Sequence, residues 1–396
     1  MAMTSAPAPA VAVEANRLGI SALQTGDPAA AAQHFMTAIA GDPHSGALQR
    51  NLASAWRALG DDERELAALD AALAIDRRDL MAWVRKGERH EARGDKGAAL
   101  AAWSAAIALG AQLSPVPPPL DALLAHGQAF VAGATETMYA AASDAFGAMQ
   151  SELSETEARR GAAFIASALG RRRVYQNECA GVYYPFLPAD EFFDRGHFPW
   201  LDAIEAQTDA IRSELQALLD DPGAALRPYV RMDAGSPTSI WSDLDNRLDW
   251  GACFLWEYGE PNQAVLDRCP TTAAALAAVP GARIPGRAPS AFFSILKPHT
   301  RIPPHTGVTN TRAIVHLPLI VPPGCGFRVG GETREWEEGK AFAFDDTIEH
   351  EAWNDSDELR AVLIFDVWNP HLTSGECELL RRYFASADGS GYAVPR

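Results

Sequence analysis

Residues 303–322 read PPHTGVTNTRAIVHLPLIVP. The first half is a turn built from Pro, Gly, Thr and Asn, and it carries His305. The second half, Thr311–Val321, is a β-branched and aliphatic run of the kind that forms a strand. Three more such runs lie nearby: AFFSILK at 291–297, KAFAF at 340–344 and LRAVLIFDV at 359–367. Between them stand turns rich in Pro, Gly, Asp and Asn: KPHTRIPPHTG, VPPGCG, FDDTIEH and NDSDE. Short strands at regular spacing, with no helical stretch between them, predict an antiparallel sandwich or jelly roll.

Histidine placement carries the chemistry. Of 10 histidines, five (His299, His305, His316, His350 and His371) fall in the last quarter. His305 follows one strand-like run; His350, at the end of an acidic turn, lies 45 residues later. Two imidazoles brought together from separate strands are the usual start of a metal site. Ten residues past His350, Arg360 opens a strand whose alternate positions Val362, Ile364 and Asp366 share its face. An Arg near the mouth of a β-barrel offers a two-pronged donor to a carboxylate. Two imidazoles and a buried Arg suit non-haem Fe(II) with 2-oxoglutarate. The usual facial triad also needs His-x-Asp or His-x-Glu, and this chain has His305-Thr306-Gly307. Arg360 is also open to a plainer reading, an ion pair with Asp345, Asp346 or Asp366. His299 and His371 lack motif support and are expected at the surface.

The N-terminal third has a different period. Gly26, Gly60 and Gly94, each followed by Asp, recur every 34 residues. So do Phe35, Leu69 and Trp103; Ala38, Ala72 and Ala106; Ile39, Leu73 and Ile107; and Gly19, Ala53 and Gly87. Small residues recur where helices approach closely and large ones where a groove must be filled. Each Gly-Asp supplies a left-handed helix end and then a cap. A period of 34 with this pattern resembles three tetratricopeptide repeats, over 14–114. Such solenoids present a concave surface to peptides or proteins.

Composition limits the partners. The chain has 396 residues, enough for two or three domains. It carries 34 basic against 51 acidic side chains, a net charge of −17, which argues against nucleic acid and against anionic membrane surfaces. Five widely spaced cysteines without a CxxC indicate neither a disulfide framework nor a cysteine zinc site. The start, MAMTSAPAPAVAVEA, lacks Lys or Arg and reads as an Ala/Pro tail rather than a signal peptide. No later stretch has the roughly 20 apolar residues of a membrane span. A cytoplasmic protein without a transmembrane anchor is expected. The predicted organisation is a tail over 1–13, the repeats, a Pro-rich hinge (LSPVPPPL, 113–120) with a helical bridge over 115–185, and a strand-rich domain over 186–396.

The strand-rich blocks carry a specific resemblance. PPHTGVTNTRAIVHLPLIVP, EWEEGKAFAFDDTIEHEAWN and LRAVLIFDVWNP, with WGACFLWEYGE and FFSILKP, resemble the C-terminal domain of the aspartyl/asparaginyl β-hydroxylase family. The resemblance covers about 235–375, and the family often sets tetratricopeptide repeats before its oxygenase domain. It implies an α+β multidomain chain: an all-α tetratricopeptide-like solenoid followed by a double-stranded β-helix (jelly-roll) oxygenase domain. It also implies a 2-oxoglutarate-dependent dioxygenase that uses Fe(II), 2-oxoglutarate and O2 to β-hydroxylate Asp/Asn-type residues of a peptide or protein. In this family two histidines hold the iron with no carboxylate, so Gly307 is no obstacle. By resemblance, His305 and His350 are the iron ligands and Arg360 anchors the distal carboxylate of 2-oxoglutarate. Ser294 assists Arg360, His316 meets the proximal carboxylate, Trp250 walls the pocket, and Arg312 and Asp346 contact the substrate.

This chain departs from its relatives in three places. They tend to carry a basic residue where this chain has Ile314, a Lys where it has Phe292, and Trp-His-Pro where it reads Trp368-Asn369-Pro370. With two cations missing, the alternatives are an oxygenase of the same family acting on a small molecule or lipid, or a non-catalytic repeat protein with a degenerate jelly roll.

Overall fold

The structure, a computed structural model, describes residues 8–390. They divide into two units. One takes in residues up to 154 together with 164–169, and the other 155–163 together with 170 onward.

The first unit is built from helical hairpins. Helices α1 (Ala8–Gln24), α2 (Pro28–Gly41), α3 (Gly46–Leu59), α4 (Asp62–Ile75), α5 (Leu80–Arg93) and α6 (Lys96–Gly110) pack as three successive pairs. They are followed by α7 (Pro118–Gly147). The Gly-Asp turns act as the spacing predicts. Gly60 and Gly94 end their helices at φ 72° and 76°, and the Asp27 and Asp61 carboxylates cap the next helices by accepting from Ala30 and Arg64 amides. Asp95 makes no side-chain cap bond. Phe35, Leu69, Trp103 and the alanines at 38, 72 and 106 are fully buried. The recurring small residues permit this: a Cβ added at Gly87 would come within 2.7 Å of the Trp103 ring. Two expectations shift. Helix α1 begins at Ala8, inside the stretch expected as a tail over 1–13, while residues 1–7 lie outside the described residues. The Pro-rich segment ends within helix, because Pro is tolerated in a first turn where its missing N–H has no partner to lose.

Helix α8 (Glu155–Ala168) precedes the second unit's short helices α9 (Leu201–Glu205), α10 (Thr208–Asp220), α11 (Gln263–Leu266) and α12 (Pro270–Ala278), and its last helix α13 (Ser374–Gly389). Among the described residues, eleven strands complete it: β1 (Leu226–Pro228), β2 (Trp250–Glu257), β3 (Glu260–Pro261), β4 (Ala291–Leu296), β5 (Thr300–His305), β6 (Arg312–Ile320), β7 (Cys325–Val329), β8 (Glu332–Arg334), β9 (Phe342–Phe344), β10 (His350–Asn354) and β11 (Arg360–Trp368). They form two antiparallel sheets. The larger runs β1-β2-β4-β11-β6-β9 with β3 beside β2, and the smaller runs β5-β10-β7-β8. One face of the larger sheet (Phe293, Ile295, Val315, Leu317, Leu363) shares a core with Ile211, Leu215 and Leu218 of α10. Its other face joins the smaller sheet through a cluster that includes Trp250, Leu296, Ile302, Phe327, Val329 and Phe344.

His305 and His350 were expected in turns; they are the last residue of β5 and the first of β10. Sequence reading missed β5 because Pro303 and Pro304 look like strand breakers. As an edge strand of the smaller sheet, β5 can carry them without losing ladder bonds. The unit also begins before the expected 186. Arg159 donates to the Phe192 carbonyl, Asn177 to Asp345, and the Tyr184 amide to Asn310, so this coil is stitched to the strands. Among the described residues, no helix is long and apolar enough to cross a membrane.

Candidate active site

The strand register assembles the site. His305 of β5 pairs directly with His350 of β10 across a register shift, and their rings lie 4.1 Å apart. In both, Nδ1 faces a backbone carbonyl, Pro303 at 2.8 Å and Ile348 at 3.0 Å. A carbonyl can only accept, so each Nδ1 carries the proton and each Nε2 keeps its lone pair. Burial holds both imidazoles neutral, pulling the His305 pKa below its ordinary value and that of His350 well below it.

These rings line a cavity of about 380 Å³ together with Ser294, Arg312, His316, Asp346 and Arg360. Arg360 opens β11 opposite Leu296 of β4, and its guanidinium is almost fully buried. Its Nε and Nη1 have no hydrogen-bond partner, and the cation lies 4.9 Å over the Trp336 ring. Burial pushes its pKa down to about 10. A buried cation lacking a counter-charge is costly unless an anion joins it. Ser294 is fully buried and accepts a bond from Trp250 Nε1 at 3.1 Å, which leaves its own hydroxyl proton to donate. His316 stacks on Trp336 with ring centres 5.5 Å apart and planes 7° from parallel, and its Nδ1 is buried without a partner.

The acidic turn divides its two carboxyls. Asp345 turns away from the cavity, accepting from the Thr347 amide and hydroxyl and from Asn177. Burial raises it to about 6. Asp346 lines the cavity, and burial followed by repulsion from Asp345 raises it to about 7. A Cβ built at Gly307 would overlap the Asp346 carboxylate. The place where a facial triad would set its third ligand is therefore already filled. Arg312 reaches the cavity but is held by the buried Asp366 carboxylate and by the Arg287 carbonyl at 3.3 Å. Asp366, named above as one partner open to Arg360, serves Arg312 instead.

His299 is exposed beside Asp357. His371, expected at the surface, is half-buried against His197 with ring centres 5.2 Å apart, because the 191–200 segment folds over it. Neither lines the cavity. Residues the sequence reading did not assign to the site include Tyr229, Trp241 and Phe254, which line it, and Trp336, which braces His316 and Arg360. Strand parity could have signalled Phe292, two positions before Ser294; no sequence signal pointed to Tyr229 or Trp336, which reach the site from across the fold.

The donor set fits a metal held by two imidazoles rather than a triad. Among the described residues, no three His, Cys, Asp or Glu side chains converge to hold a metal ion, whereas two neutral imidazoles with free Nε2 atoms stand side by side.

The site thus combines two antiparallel sheets, a pair of neutral imidazoles and a buried guanidinium without a counter-charge. Over residues 205–370 the chain matches the family described as Aspartyl/Asparaginyl beta-hydroxylase. It is 34% identical over 181 residues to the human Aspartyl/asparaginyl beta-hydroxylase, covering 46% of this chain and 22% of that protein. It is 33% identical over 196 residues to the Ornithine lipid ester-linked acyl 2-hydroxylase of Rhizobium tropici, covering 49% of this chain and 66% of that one. The chain thus spans about a fifth of the human relative's length. The helical part is similar to PcrH from Pseudomonas aeruginosa, with a TM-score of 0.30, 22% identity, 34% of this chain and 99% of that one covered.

Proposed function

We propose that this chain is an Fe(II)- and 2-oxoglutarate-dependent dioxygenase that hydroxylates a substrate C–H bond. The observation that carries the reading is Arg360, a buried cation without a counter-charge, lining one cavity with two neutral imidazoles. In this reading His305 and His350 hold the metal through Nε2, with their Nδ1–H groups fixed on backbone carbonyls so the rings cannot turn. Arg360 and the Ser294 hydroxyl bind the distal carboxylate of 2-oxoglutarate, a charge-assisted pairing that also relieves the buried cation. His316 stands ready for the proximal carboxylate, Trp250 closes the wall behind Ser294, and the aromatic lining keeps water out. The bound iron and oxo acid supply the oxidising chemistry: one O2, one 2-oxoglutarate and one C–H give C–OH, succinate and CO2, one oxygen atom entering each of the alcohol and succinate.

Two substrate types are open to such a centre. One is an Asp or Asn side chain of a peptide or protein, in keeping with the human relative's name, with Arg312 and Asp346 as contacts and the helical repeats as a surface for the partner. The other is a lipid or small molecule, in keeping with the name of the Rhizobium relative. A cytoplasmic location belongs to this proposal. A non-catalytic scaffold is disfavoured, because the uncompensated Arg360 would be a pure cost to it.

The test is an anaerobic titration of Fe(II) and 2-oxoglutarate into the purified chain. The weak metal-to-ligand absorption band should saturate at one iron per chain, and air should then yield succinate. His350→Ala should lose both; turnover retained in that variant would overturn the metal assignment.

A further inference from the structure

We infer that the substrate presents an uncharged, apolar chain to this site, a fatty-acyl group being the simplest case, and that a carboxylate side chain is excluded. The inference rests on the oxygenase reading above and names its substrate class.

Lateral register decides which side chains meet beyond the imidazoles. Phe254 of β2, Phe292 of β4 and Ile364 of β11 are cross-strand neighbours in one row, and all three line the cavity. Tyr229 lies over this row, 5.2 Å from Phe292 between ring centres, and stacks on Trp250 at 3.9 Å. Ile314, in register with Asp366, adds another aliphatic wall. The Phe254, Phe292, Ile364 and Ile314 side chains offer no donor or acceptor to a polar substrate group.

Charge points the same way. The cavity holds two guanidiniums. Arg360 serves the oxo acid, and Arg312 is already paired with Asp366. Against them stand Asp346, Asp366 and Glu257, the last paired with Arg227. With Asp366 paired to Arg312 and Glu257 to Arg227, a substrate carboxylate entering here would meet Asp346 and no unengaged cation, so its lost hydration would go unreplaced. An alkyl chain carries no such penalty, and its burial against Phe292, Ile314 and Ile364 is favourable.

Three probes decide the matter on the full chain: N-octanoylglycinamide, its analogue with a terminal carboxylate, and a capped Asp-containing peptide. Equilibrium dialysis without iron, in saturating 2-oxoglutarate so that Arg360 is occupied, should show the neutral chain bound at least about tenfold more tightly than either acid. With iron, 2-oxoglutarate and air, only the neutral chain should speed succinate release and gain one oxygen on its acyl portion. Ile314→Lys should shift the dialysis preference toward the carboxylate analogue, while Ile314→Leu keeps the wild-type order. Equal or tighter binding of either acid, or no binding of the neutral chain, overturns the inference. Succinate absent from every reaction counts against the oxygenase reading alone, since dialysis reports the pocket independently.

Discussion

Arg360, the proposed anchor of the oxo acid, carries a cost to its own fold. Its guanidinium is buried at the start of β11 with two nitrogens unpartnered. Removing it should therefore separate stability from function. Arg360→Met should raise the stability of the metal-free protein by about 1–3 kcal/mol, read by urea unfolding, because an uncompensated charge leaves the core. The same variant should weaken 2-oxoglutarate binding by roughly 10- to 100-fold, the worth of charge-assisted hydrogen bonds. A loss of both would make Arg360 a structural residue. Gly307 supports a second substitution. Replacing it with Asp would nominally restore a facial triad, yet its Cβ would overlap the Asp346 carboxylate. Gly307→Asp should lower iron affinity in anaerobic titration, and tighter binding would show that Asp346 yields its place. The imidazole pair and Arg360 stood out through the clustering of histidines in the last quarter of the chain and the spacing from His350 to Arg360, although His305 and His350 were read as lying in turns rather than at strand ends. The engagement of Arg312 by Asp366 was not, since which acid meets which Arg depends on lateral register between β6 and β11.

At the scale of elements, the helical hairpins were legible because both faces of the packing repeat: small residues at one helix, large ones at the next. Gly87 and Gly127 both abut the Trp103 ring. Gly87→Ala should destabilise the helical unit by about 1–3 kcal/mol, the cost of overpacking a filled core, as measured by urea unfolding. No change there would mean that Trp103 can move aside. The strands were legible only in part. Runs such as 291–297 and 359–367 stand out because both faces are buried and the residues read as continuous apolar stretches. Strands β5, β7, β8 and β10 did not, because β5 contains two prolines, β7 and β10 have polar residues among the apolar ones, β8 is polar throughout, and each is only 3–6 residues long. The coil over 171–200 carries no period; it is held by separate bonds such as Asn177 to Asp345, which no local pattern announces.

Across the whole molecule each unit has its own core, and every residue lining the candidate site lies in the strand-rich one. That unit contains an acid that folding leaves poorly hydrated, so this acid's contribution to stability should depend on pH in a definite direction. Burial raises the Asp345 carboxyl from 3.8 to about 6. The folded state therefore holds this proton more tightly than the unfolded chain does. The resulting stabilisation is fully present below the unfolded value, declines as pH rises between the two, and is gone above the folded value. For Asp345 alone it amounts to at most roughly 3 kcal/mol. The buried neutral His305, His316 and His350, whose pKa values are depressed, make stability rise with pH over the same range, so the Asp345 contribution is read as the difference between wild type and Asp345→Asn. Urea unfolding of the metal-free chain, with each unit followed by hydrogen exchange of its own peptides, should show the wild-type strand-rich unit losing stability relative to Asp345→Asn as pH rises from 3.8 to about 6. A wild type that instead gains stability relative to Asp345→Asn over that range would mean that Asp345 folds as a fully ionised carboxylate, with the Thr347 and Asn177 donors outweighing its burial.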